Sequence, residues 1–105
     1  MAKQVSQNPA RVEVLTEEDA PRGWRYRIAI DRGESRSEHE VTLAWVDHEH
    51  WSGGRLPPSS VIESVVRYAA ARKDDLPARF DAATCRRWFP ALDRELSLFD
   101  GADAT

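Results

Sequence analysis

Cysteine is almost missing from this chain: Cys85 is the only one in 105 residues. A lone thiol cannot close an intrachain disulfide, which excludes a bridged small scaffold and points to a reducing, cytoplasmic setting. Long hydrophobic runs are missing too. No apolar stretch approaches the roughly 20 residues that a membrane-spanning helix needs, and Met1-Ala-Lys-Gln opens no secretory-type apolar run. Nor is there an excess of positive charge. The 15 Lys and Arg are outnumbered by 18 Asp and Glu, giving a net charge of −3, so nothing attracts nucleic acid or an anionic membrane in general. Glycine is limited to 5 residues, and no phosphate-binding loop, nucleophile elbow or dinucleotide fingerprint occurs. No repeat or linker divides the chain. Its length supports one domain with a real core, without disulfide or metal.

What is present is a strong strand pattern. Trp24, Tyr26, Ile28 and Ile30 alternate with Arg25, Arg27, Ala29 and Asp31, and Val41, Leu43 and Trp45 alternate with Glu40, Thr42 and Ala44. Side chains on a strand point to opposite faces in turn, so this is an amphipathic β-hairpin. Trp24 and Trp45 are expected to face inward. Arg25 and Arg27 fall near Glu38 and Glu40 on the solvent side, where cross-strand ion pairs can form. Arg11 to Thr16 alternates as well and predicts a short first strand. Glu17 to Gly23 reads as a turn. Residues 1–10 and 100–105 are polar and read as disordered tails, leaving 11–99 as a single domain.

The second half is helical in pattern. Asp47 to Gly54 predicts one or two helical turns, capped by Asp47 at the start and by a glycine in the left-handed conformation at the end. The main helix is expected from Pro58 or Ser60 to Arg72, with Val61, Ile62, Val65, Val66 and Ala69 as its apolar stripe and Tyr68 at the edge. Phe80 is expected to plug into the core. Asp81 caps a helical region from Ala82 to Trp88. Cys85, Trp88, Phe89, Leu92, Leu96 and Phe99 form a stripe across Pro90. Proline inside a helix costs ~3 kcal/mol or more, so a break is expected there, with a last helix ending near Leu98.

The order of these features resembles a group of small bacterial proteins of unknown function. That group carries an H-x-V-T-L strand, an aromatic and a T-G-G turn, a proline-started helix and a closing Y-F-P-x-Y-E. The matching residues here are His39-Glu40-Val41-Thr42-Leu43, Gly53-Gly54, Pro58 to Glu63, and Trp88-Phe89-Pro90 followed by Leu92 and Glu95-Leu96. The chain departs at Ser52, Trp88 and Leu92, and in its run Ala69-Ala70-Ala71. The resemblance implies a shared small fold and carries no activity, cofactor or catalytic residue.

Candidate chemistry is thin. His39, His48 and His50, with Asp47 and Glu49, are the one cluster of ligand-type atoms. On a helix, however, His48 and His50 point to opposite sides, which disfavours a shared metal. Cys85 lies on the stripe with Trp88 and Phe89 and reads as a core cysteine rather than a nucleophile. The arginines of the hairpin interleave with Trp24 and Tyr26, a combination that holds single-stranded nucleic acid, but the rings take the opposite face and acids neutralise the patch. Trp51 would be an interface anchor if exposed, and packing under the loop is the reading favoured here.

The expected architecture is therefore α+β: a three-stranded antiparallel sheet with one long helix and two or three short ones on one face. The leading functional expectation is a non-catalytic protein-interaction module without a cofactor, with Trp51, His48, His50, Arg25 and Arg27 as candidate interface residues and a homodimer as an option. A small nucleic-acid-binding regulator, and an enzyme or metal protein using the His48/His50 region, are the alternatives.

Overall fold

A computed structural model of the protein describes residues 10–96. The elements follow in the order β1 (Arg11–Ala20), β2 (Gly23–Asp31), β3 (Arg36–Ala44), α1 (Trp45–Ser52), α2 (Pro58–Arg72), β4 (Arg79–Asp81) and α3 (Thr84–Trp88); residues 92–96 are helical again. The α+β class holds. The sheet differs from expectation, having four strands in the order β1-β2-β3-β4, with β4 running parallel to β3. Three residues are too short for an alternation to show in sequence. Long-range bonds hold β4 in place: the Glu40 amide donates to the Ala78 carbonyl and the Ala82 amide to the Thr42 carbonyl, both at 2.8 Å, while Thr42 Oγ1 donates to Asp81 Oδ2 at 2.7 Å.

The hairpin register sets Trp24 opposite Leu43, Tyr26 opposite Val41 and Ile28 opposite His39. Tyr26, Ile28, Ile30, Val41 and Leu43 are all buried, as period-2 alternation requires. Strand β1 continues this face with Val12 opposite Ile30 and Val14 opposite Ile28, and then the register shifts between Val14 and Thr16. Leu15 is the extra residue of a β-bulge, a device common on edge strands. Beyond it the strand runs on to Ala20 rather than stopping at Thr16, because Glu17, Glu18 and Asp19 pair with Tyr26, Arg25 and Trp24.

Helix α2 covers the apolar face. Pro58 occupies its first turn, and Val61, Ile62, Val65, Val66, Ala69 and Ala70 are buried. Its far end is tied to the hairpin loop by Arg32, which donates to the Ala70 carbonyl at 3.0 Å and the Lys73 carbonyl at 3.1 Å, two acceptors that a helix terminus leaves open. The polypeptide breaks at Pro90 as expected: α3 ends at Trp88 and helix resumes at 92. Cys85, Leu92 and Leu96 are buried in the core, with Trp88, Phe89 and Phe80 packed partly buried against it; Phe80 thus edges the core rather than filling it. Of the expected tail 1–10, residues 1–9 lie outside the described residues, as do the tail 100–105, Phe99 and the expected helix end at Leu98, whereas Ala10, expected to be disordered, packs against the core.

Burial decides the fate of the single thiol. Cys85 is fully buried, and desolvation first, then the Asp81 charge, push its pKa up to about 12. A thiol held protonated and out of contact is a poor nucleophile. Native protein is expected to resist Ellman's reagent for hours and to react fully within minutes of unfolding; rapid labelling of folded protein would contradict the core placement.

Candidate interaction surface

Strand β3 ends one residue before the alternation does. Ala44 is still extended (φ −79°, ψ 151°) and serves as the N-cap residue of α1. The Trp45 amide donates to the carbonyl of Arg22 at 2.8 Å, across the sheet end where Gly23 faces Ala44. The helix begins there, and the Trp45 side chain turns away from the core. It is 58% exposed, and Val46 beside it is 71% exposed. The expectation that Trp45 faces inward is therefore corrected: a helical residue no longer follows the two-residue period. Trp24 does turn toward the core, half-buried, and its ring meets the His48 ring edge-on at 5.3 Å.

The rest of α1 anchors this pair firmly. Gly53 takes the left-handed conformation (φ 63°) and donates to the Glu49 carbonyl, as the sequence suggested. No side chain caps the start. Asp47, expected in that role, is instead only 7% exposed and accepts from Arg86 Nη1 at 2.8 Å. Arg86 also donates through Nε to Asp93 Oδ1 at 2.8 Å, and the same oxygen accepts from Trp51 Nε1 at 2.8 Å. The guanidinium lies over the Trp51 ring, 4.6 Å from its centroid. One arginine thus joins α1, α3 and the segment around Asp93. At Asp93, burial by itself raises the carboxyl. Hydrogen bonds from Arg86 and Trp51, with the Arg86 and His50 charges, outweigh it and hold the pKa below the ordinary 3.8.

The expected interface residues separate. Trp51 is 3% exposed, so it packs the core and offers no surface to a partner. His48 is half-buried and donates from Nε2 to the Leu56 carbonyl at 2.7 Å. His50 is exposed, with Nε2 at 3.5 Å from Asp93 Oδ2. His39 is buried within β3, far along the strand from both. Among the described residues no group of three or more His, Cys, Asp or Glu is placed to hold a metal. Arg25 and Arg27 lie on the solvent face, and their partners are the expected ones: Glu40 at 3.4 Å and Glu38 at 3.5 Å, with Glu18 also at 3.2 Å from Arg25. Exposed pairs of this kind contribute up to about 1 kcal/mol each. Together they make a neutralised face rather than a basic one. Trp24 and Tyr26 sit on the opposite face, so the hairpin arginines form no platform with them.

In comparisons with known proteins, no family model, curated protein or solved structure matches this chain. Among the described residues no helix is long and apolar enough to cross a membrane. The surface feature that sequence reasoning missed is the Trp45–Val46 pair. Its only signal was Asp47-His48-Glu49-His50, whose polar, aperiodic composition contradicts a strand running through Trp45.

Proposed function

We propose that this protein is a protein-interaction module that engages its partner through Trp45 and Val46. The carrying observation is that these two, consecutive in the first turn of α1, are the exposed large hydrophobics of the described residues. An indole held on a rigid frame loses little entropy on binding and buries a large area, which is why tryptophan dominates interface hot spots. The frame here is rigid at both ends: the Arg22 carbonyl at the start, and Asp47–Arg86 with the Gly53 cap behind. Elsewhere the sheet's open face is a mixed-charge, self-paired surface, which favours solubility over recognition. Kinship with the small bacterial proteins it resembles is part of this proposal. It is supported by the structural duties of the shared residues, among them the Gly53 cap and the Pro58 helix start.

The test is affinity capture from the source cells, comparing wild type with Trp45→Ser/Val46→Ser and with Trp51→Phe. Interface tryptophans typically cost ~2 kcal/mol or more on truncation, about 30-fold in affinity. The double variant should therefore lose the specific partner while keeping a wild-type circular dichroism spectrum, and Trp51→Phe should keep it. Equal capture by all three proteins would overturn the proposal.

A further inference from the structure

Away from that surface, the opposite end of the sheet places a hydroxyl, an imidazole and a carbonyl in line. His39 is 6% exposed. Its Nδ1 lies 2.7 Å from the Pro77 carbonyl oxygen, which can only accept, so Nδ1 carries the hydrogen. That leaves Nε2 with its lone pair directed at Ser37 Oγ, 2.8 Å away, and Ser37 itself is exposed to solvent. Ser37 and His39 are two apart on β3 and so share a face. The Phe80 ring packs edge-on against the imidazole at 6.2 Å and keeps it from turning. An accessible hydroxyl on a base, with the base oriented by a third group, is the arrangement that activates a nucleophilic serine.

The nearest cation by register on that face is Arg32. Ser37 is opposite Ile30, and Arg32, two residues further on, sends its guanidinium to the end of α2 on the same side of the sheet. That guanidinium is taken up by the two carbonyls and by Asp74, 3.9 Å away, so the activation of Ser37 rests on His39 alone.

We propose that Ser37 is an activated nucleophile that accepts acyl groups from activated esters, with His39 as its general base. Ser37 Oγ attacks the ester carbonyl while its proton passes to His39 Nε2. The C–O bond to the leaving group then breaks, and the leaving oxygen takes that proton. Water then attacks the acyl carbonyl as the same nitrogen takes its proton; the bond from Ser37 Oγ to the acyl carbon breaks, Oγ takes that proton back from Nε2, and the acyl group leaves as the carboxylic acid. The Pro77 carbonyl is a positioning group that fixes the tautomer. This inference uses none of the residues of the Trp45 surface, so either proposal can fail alone.

The probes are diisopropyl fluorophosphate and p-nitrophenyl acetate, applied to the full chain and read by intact-mass and peptide mass spectrometry. One diisopropylphosphoryl or acetyl adduct is expected, on Ser37, forming about a hundredfold faster than on exposed Ser35 in the preceding loop, the scale of general-base assistance. Ser37→Ala should abolish it and Ser35→Ala should leave it unchanged. His39→Gln, if folded by circular dichroism, should slow labelling by a similar factor. Should that variant not fold, the wild-type rate against pH decides: the proposal requires a sigmoid with one titrating group, and a rate simply proportional to hydroxide overturns it. Adducts scattered over several serines, or full labelling of Ser37→Ala, would also overturn it.

Discussion

Gly23→Ala is expected to cost at least about 3 kcal/mol, at the severe end of single substitutions. A Cβ built at this position meets the Leu43 carbonyl oxygen at 2.1 Å, the Ala44 Cα at 2.8 Å and the Leu43 carbonyl carbon at 3.0 Å. All three are backbone, so no side chain can swing aside. Relief demands separating β2 from β3 at the point where Gly23 pairs with Ala44 and where the Arg22 carbonyl receives the Trp45 amide. The variant should therefore lose stability and also misplace Trp45. Gly33→Ala is the control. Its glycine has φ +92° but nothing within 4 Å of the added carbon, so only backbone strain of about 1 kcal/mol is expected. Chemical denaturation of both variants checks the contrast, and equal midpoints would contradict it.

Arg86→Ala carries the second large effect, a loss of about 2 kcal/mol. Removing one partner of a fully buried ion pair costs about 3–5 kcal/mol. Here Asp47 is 10% exposed in its side chain while Arg86 and Asp93 are 30% and 41% exposed, so solvent recovers part of that for Asp93 but not for Asp47. Arg86→Lys should rescue little, because an ammonium cannot present a planar fork to two carboxylates at once. The linkage has a definite sign. Asp93 has its pKa lowered by folding, so its contribution is fully present above the unfolded value. It is lost as pH falls below the ordinary 3.8 and through the lowered one. Acid unfolding of wild type should draw on this window, and Arg86→Ala should shrink its share. An acid transition identical in slope and midpoint in both proteins would refute the role given to Arg86.

Much of the fold was legible because it is written locally. The alternation through Tyr26, Ile28, Val41 and Leu43 placed the hairpin and its faces, and therefore the Arg25–Glu40 and Arg27–Glu38 pairs. The stripe Val61, Ile62, Val65, Val66 and Ala69, opened by proline, located α2; Gly53 and Pro90 marked a cap and a break. What was not legible depends on partners distant in the chain. Strand β4 exists through bonds to Glu40 and Thr42, about forty residues earlier. Glu17, Glu18 and Asp19 read as turn chemistry, and only pairing with β2 makes them strand. Asp47 looked like a cap because its true partner, Arg86, is 39 residues away. At the surface the two tryptophans exchanged roles with respect to exposure. Trp51, a candidate anchor, is sealed against Arg86 and Asp93, while Trp45 leaves the strand one residue early and stands in solvent. The Ser37–His39 pair was hidden for the same reason: its orienting carbonyl, at Pro77, is 38 residues from His39.

The most direct test of the binding account labels the protein with 5-fluorotryptophan, giving one fluorine resonance for each of its four tryptophans, assigned by single Trp→Phe variants. The account predicts that the Trp45 signal alone responds strongly to a soluble paramagnetic reagent, and that it shifts most when the captured partner is titrated in, while Trp51 stays fixed. A Trp51 resonance that moves with partner while Trp45 does not would contradict it.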